Sequence, residues 1–315
     1  MAQGPRLGCT ACGSPQVEPL LDIEDVPIHC NVPRRSYEEA KKVQKGTIRL
    51  GFCQACGHLY NTDFDAQRIE YAPGYENSLD FSPRFQVYAR ALALRLVEQY
   101  ELRGKDITEI ACGNGQFLRL LCDIGDNRGV GFDPSRVIDS GGDHPKITFI
   151  QDFYSERHRH CRADFICCRQ ALEHIQYPQQ FLRMIRRVIE GSSHVFFEVP
   201  NSLYTLRDLG IWDLIYEHCS YFWAGSLGHA FEESGFSVVD IREEFDGQFL
   251  SIVACPKGES RSMEQWEEAG DIAPYVRSFR ASYLEKRHNW RCWLKAAYET
   301  GKKVVLWGGG SKGVT

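Results

Sequence analysis

Short apolar runs separated by turn residues and amphipathic stretches fill the middle of the chain. An apolar strand ends near Glu109, a turn carries Gly113 and Gly115, and an apolar helical run begins at Phe117. Further runs at 130–133, 147–152, 163–168, 194–201, 236–242 and 249–254 predict more strands. Between them, Ser82 and Pro83 open a helix reaching about Tyr100, whose buried face repeats at Phe85, Ala89, Leu92 and Leu96. Residues 226–235 predict another helix. Alternating strands and helices of this kind specify an α/β domain with an open, largely parallel sheet. From 259 to 300 the pattern is helical and charged, with Trp266, Tyr275, Phe279, Tyr283 and Trp290 facing inward. Residues 302–307 predict a strand. Gly308, Gly310 and Gly313 follow it with G-x-G-x-x-G spacing, so this stretch reads as the first strand of another nucleotide-type unit, cut short at Thr315.

At 315 residues the chain holds about two domains. Its net charge of -5 gives no general attraction to nucleic acid. No apolar run approaches the roughly 20 residues that cross a bilayer. The N-terminus lacks the apolar core of a signal peptide. Thirteen cysteines are scattered through a strand–helix pattern, which suits a reducing, cytoplasmic setting.

Four of those cysteines stand apart. Cys9 and Cys12, then Cys53 and Cys56, form two C-x-x-C-G turns. Each turn offers two thiolates, and two turns close a tetrahedral site with no open position. The expected metal is zinc in a structural role, with iron the chemical alternative. Cys30, between the knuckles, is expected to be a free thiol.

The glycine turn lacks the third glycine of the dinucleotide fingerprint, because Leu118 stands there. That favours a ligand without a pyrophosphate, such as S-adenosylmethionine (SAM). Acids sit at the predicted strand ends, where ligands of open α/β sheets bind. Asp133 is placed to grip ribose hydroxyls and Asp152 to accept from an adenine amino group. Glu109, Ala111, Gly113, Gly115 and Phe117 complete the expected cofactor contacts along the turn, with Gln170 after the fourth strand. This series resembles the class I SAM-dependent methyltransferases.

Residues 202–223 add an aromatic insertion containing Tyr216, Glu217, His218 and Tyr221. The whole order is a four-cysteine module (1–70), a SAM domain with its insertion (71–258) and a glycine-rich C-terminal piece (259–315). It resembles the sugar C-methyltransferases that act on nucleotide-linked keto-deoxysugars. That resemblance implies His218 as general base, with Tyr216, Glu217, Tyr221 and His174 around the substrate. It also implies Tyr75 and Ser78 beside the cofactor, and a C-terminal Rossmann-like domain that continues beyond this chain. Gln170 departs from it, since histidine is expected there. Methylating carbon needs an enolate, and a histidine beside a carboxylate such as Glu217 is suited to take the α-proton. An O- or N-methyltransferase, or a catalytically silent SAM- and zinc-binding protein, remains an alternative.

Overall fold

A computed structural model describes residues 8–30, 32, 34–69, 81–135, 144–161, 163–189, 193–257, 271–306 and 313. Two sheets organise it. The larger is built from β4 (Asp106–Ile110), β5 (Arg128–Phe132), β6 (Ile147–Ile150), β7 (Phe165–Arg169), β8 (His194–Pro200), β10 (Phe236–Glu244) and β11 (Phe249–Pro256). Its order is β10-β11-β8-β7-β4-β5-β6, parallel except for β11, which runs antiparallel to both neighbours. From β4 the chain moves outward to β5 and β6, then returns to lay β7 on β4's other side. The carboxyl ends of β4 and β7 therefore flank the crevice where the strand order reverses.

Both faces of this sheet are covered, which explains strands such as Phe165-Ile166-Cys167-Cys168 that are apolar throughout. Phe165 and Cys167 pack with α2 (Pro83–Gln99) and α3 (Gln116–Gly125). Ile166 and Cys168 pack on the other face, with α4 (Pro178–Val188) and α6 (Ala224–Glu232). Helix α2 begins as its sequence predicts. Ser82 accepts from Phe85 N, Pro83 follows it, and Phe85, Ala89, Leu92 and Leu96 are buried.

The smaller sheet is antiparallel, in the order β1 (Val17–Pro27), β2 (Lys45–Cys53), β3 (Leu59–Asn61), β9 (Ser220–Tyr221). A short helix, α1 (Tyr37–Lys41), lies between its first two strands. Its last strand comes from the aromatic insertion, more than 150 residues away in sequence. The rest of the insertion is α5 (Ser202–Arg207) and a 3-10 turn at Ile211–Asp213. Its aromatics serve as core: Tyr216 and Phe222 have no exposed surface, and Tyr221 is also buried. Gly46 on β2 is required there, since a Cβ would stand 2.3 Å from the Tyr216 ring.

Helix α7 (Ala273–Glu299) packs only its first half on the small sheet. Phe279 and Tyr283 are buried, as expected, whereas Tyr275 and Trp290 are exposed; Trp266 lies outside the described residues. The sequence expected all five to face inward. Tyr275 stands at the flank of the buried stripe of Ile272, Val276, Phe279 and Tyr283, and Trp290 lies beyond the end of that stripe. Residues 302–306 form no strand, and Val304, Val305 and Leu306 are exposed. A short apolar run becomes a strand only where a neighbour supplies ladder hydrogen bonds, and none does so among the described residues. The glycines that follow lie outside the described residues except Gly313. Among the described residues no helix is long and apolar enough to cross a membrane.

Candidate functional site

The turn after β4 is locally strained. Ala111, Gly113 and Gly115 have φ values of 55°, 51° and 75°. Gly115 caps α3 without a side chain, so Glu109 takes over and accepts from Leu118 N at 3.1 Å. The position that would carry a third glycine is filled by Leu118, fully buried. Gly113 is fixed by Asp133, whose Oδ2 accepts from Gly113 N at 2.8 Å. A Cβ at Gly113 would meet nothing within 4 Å, so the space above the turn is open. Its left-handed backbone, rather than a steric limit, is what selects glycine.

A cavity of about 150 Å³ opens beside the turn, lined by Ala111, Phe132, Asp133, Asp152, Gln170 and His174 among others. Four of the expected cofactor residues thus share one wall. Glu109 and Phe117 lie beneath the turn, buried, and support it. Tyr75 and Ser78 lie outside the described residues. Asp152 is more engaged than the sequence suggests. It pairs with Arg157, lies 3.5 Å from His158 Nε2, and accepts from Phe153 N at 2.8 Å. Asp133 likewise accepts from Ser135 N at 2.8 Å and Ser135 Oγ at 2.7 Å through Oδ1.

His174 borders both this cavity and a neighbouring one lined by Phe64, Ile69, Phe153 and Tyr177. Its ring lies edge-on to His218, with centroids 4.9 Å apart. His174 Nδ1 donates to Glu217 O at 3.0 Å, and His218 Nδ1 donates to Asp213 O at 2.9 Å. A carbonyl can only accept, so each neutral ring carries its proton on Nδ1 and keeps a lone pair at Nε2. Burial pushes the His174 pKa down to about 4 and the His218 pKa well below the ordinary histidine value. Both rings are therefore neutral near pH 7.

Three expectations around His218 need correction. The Glu217 carboxylate does not orient His218. Its Oε2 accepts from Cys30 N at 3.0 Å and its Oε1 lies 3.8 Å from His29 Nδ1. Successive residues on this irregular segment point apart, so adjacency in sequence does not bring the two side chains together. The carboxyl group near both histidines belongs to Glu173. One of its oxygens and one nitrogen of each ring lie within 4.8 Å of one another. Glu173 Oε2 is buried without a hydrogen-bond partner, and burial raises its pKa well above the carboxylate range. Tyr216, like His218 itself, lines neither cavity, and its hydroxyl accepts from Asp65 N at 3.1 Å. Tyr221 also lies off both cavity walls, its hydroxyl donating to Ile215 O at 3.4 Å. Both tyrosines join the insertion's core.

Sequence reasoning also missed Arg169 and Glu198, an ion pair at 2.9 Å on the strand ends next to Gln170. The signal was present: each is a charged residue among buried apolar ones, Arg169 the last residue of β7 and Glu198 the third from the end of β8.

The four cysteines of the N-terminal turns meet as expected. Their sulfurs all lie within 4.8 Å of one another, with Cys9 and Cys56 at 3.8 Å and Cys12 and Cys53 at 3.6 Å. None is in a disulfide. Gly13 and Gly57 after the turns have φ of 78° and 69°, and Ala11 N points at Cys9 Sγ from 3.4 Å. Four thiolates at about 2.3 Å from one ion stand about 3.8 Å apart. Cys30 is buried outside the cluster.

Residues 82–241 match the family model of the methyltransferase domain, and the chain belongs to that family. It is 27% identical over 243 residues to the C-methyltransferase NovU of Streptomyces niveus, covering 72% of this chain and 58% of that one. It is 24% identical over 133 residues to a ubiquinone biosynthesis O-methyltransferase of Citrobacter koseri, covering 39% of this chain and 53% of that one. The chain thus spans about half the length of these relatives. A solved SAM-dependent methyltransferase from Mesorhizobium loti aligns with 56% of this chain and 100% of its own, at 19% identity and a TM-score of 0.43.

Proposed function

We propose that this protein transfers a methyl group from SAM to a carbon next to the ketone of a nucleotide-linked deoxysugar. The observation that carries the reading is the pair His174 and His218. Both are held by backbone carbonyls in the tautomer that leaves Nε2 unprotonated, and His174 borders the cavity beside the glycine turn. SAM supplies an electrophilic methyl on a sulfonium. Ala111, Asp133, Asp152 and Gln170 would hold its adenosyl part, and Glu109 keeps the turn in shape. His218 Nε2 takes the α-proton and the C–H electron pair becomes the enolate, to whose carbon bound SAM would supply its methyl while the sulfur leaves as a neutral thioether. His174 stands beside His218 as a fixed neighbour, its Nδ1–H committed to Glu217 O. The likeness to a C-methyltransferase supports carbon as the acceptor.

The cysteine cluster fits zinc in both sulfur count and spacing. Cys9, Cys12, Cys53 and Cys56 would hold the ion with no position left for chemistry, so its part is structural. The module it closes shares its sheet with β9, two residues after His218. Shaping the substrate wall is therefore its functional contribution.

The likeness to an O-methyltransferase keeps a heteroatom acceptor as the second reading. Incubation with ¹³C-methyl SAM and a panel of nucleotide-linked 4-keto-6-deoxyhexoses separates the two. A carbon-bound methyl resonates far upfield of an oxygen-bound one. Methylation of oxygen alone would overturn the proposal.

A further inference from the structure

Strand β7 is apolar until its last residue. Phe165 and Cys167 face α2 and α3, and Arg169 continues that face at the carboxyl edge of the sheet. Its guanidinium lies 4.1 Å from the centroid of Phe117 and 5.6 Å from that of Phe85. Phe117 is the second residue of α3, directly after the glycine turn. A cation is thus stacked at the foot of the loop that approaches the cofactor.

Its partner explains how it is held. Arg169 Nε and Nη2 both donate to Glu198 Oε1, at 3.1 and 2.9 Å. Gln170 Nε2 donates to the same oxygen at 3.1 Å, and the Tyr88 hydroxyl donates to Oε2. Glu198 has no exposed surface, and four donors leave its carboxylate little capacity for more. Arg169 is not saturated. A guanidinium offers five N–H donors, Nη1 has no partner among the described residues, and 10% of the side chain is still exposed. Glu198 therefore aims Arg169 and leaves it donors to spend on something else.

The order of groups along the strand ends says what that something is. Asp152 follows β6, Asp133 follows β5, the glycine turn follows β4, and Arg169 closes β7. An adenosyl amino acid with adenine near Asp152 and ribose at Asp133 ends its amino-acid part over the turn, on the Arg169 side. The geometry points to Arg169 as the residue that receives the carboxylate of the cofactor's amino-acid end, with Glu198 as its positioning residue. This rests on the reading of the cavity as a SAM site. A carboxylate matches a guanidinium in charge and shape, and the low exposure makes the contact count.

The test is calorimetry on the full chain with S-adenosylhomocysteine and with its decarboxylated analogue. Charge-assisted hydrogen bonds of this kind predict that the parent prefers the carboxylated ligand by about ten- to a hundredfold. Arg169→Met is expected to lower the affinity for S-adenosylhomocysteine to that of the analogue while leaving the analogue's own affinity unchanged, and Arg169→Lys to recover part of the loss. Equal weakening of both ligands in Arg169→Met would assign the residue to shape alone and overturn the inference. Should that variant fail to fold, the parent still decides: no preference between the ligands overturns it. Binding of neither ligand by the parent would instead overturn the cofactor reading beneath it.

Discussion

Replacing Asp133 by alanine removes the group on which both the turn and the ribose depend. The carboxylate accepts from Gly113 N, Ser135 N and Ser135 Oγ, and a carboxylate has about four lone-pair sites. About one remains for a ribose hydroxyl, so a two-hydroxyl grip requires Ser135 Oγ to give way. Each hydrogen bond to an ionised acceptor contributes about 1.5–3 kcal/mol net. The loss of one direct ribose contact, together with a turn no longer held at Gly113, gives about 2–3 kcal/mol. That corresponds to a Kd for S-adenosylhomocysteine about thirty- to a hundred-and-fiftyfold weaker. Calorimetry on parent and variant, with thermal melts confirming the fold, measures this. Ser135→Ala frees an acceptor position, and its affinity is expected to be unchanged or tighter. An Asp133→Ala affinity within about twofold of the parent would mean that the ribose is held elsewhere. A large loss in Ser135→Ala would mean that the serine, not the acid, does the binding.

Purified without chelator, the protein is expected to carry one zinc per chain with four sulfur ligands near about 2.3 Å, and Cys12→Ser to weaken the N-terminal module far more than cofactor binding. Less than half an equivalent of metal would contradict this. The pH dependence of stability reports on Glu173 and its two histidines. Between about pH 4.5 and 6 the unfolded chain protonates both histidines, whereas the folded chain keeps them neutral, so stability falls on acidification. Glu173 works the other way, because the folded chain keeps a proton that the unfolded chain releases. Glu173→Gln removes that opposing proton, so its stability is expected to fall more steeply on acidification than the parent's. Parallel denaturation series in parent and variant would contradict the burial of an unpartnered, protonated Glu173.

Much of this architecture is legible in the pattern of residues, for identifiable reasons. Strand ends at Asp133 and Asp152 and the turn at Gly113 and Gly115 are local features: a polar residue closes an apolar run, and positive φ selects glycine. The two cysteine turns are local as well, and their spacing carries the chemistry. What depends on distant packing is not legible. Nothing in residues 220–221 announces a strand of the N-terminal sheet, because its partner lies at 59–61. Glu217 and His218 are neighbours in sequence but serve different partners, since the backbone between Ile211 and Ser220 is irregular. Trp290 fits a helical stripe, yet the stripe outruns the sheet it covers. Glu173 shows only as part of a short apolar segment, and its nearness to His218 arises from the insertion folding back over the end of β7.

The central claim is that His218, held by Asp213 O and beside His174, removes a proton from carbon. The most direct measurement is solvent deuterium exchange at the α-carbon of a nucleotide-linked keto sugar, followed by NMR with S-adenosylhomocysteine bound so that no methyl transfer competes. The parent is expected to exchange that proton. His218→Ala is expected to bind S-adenosylhomocysteine normally and to exchange about a hundredfold to ten-thousandfold more slowly, the usual cost of a lost general base. Exchange at the parent rate in His218→Ala would contradict the account.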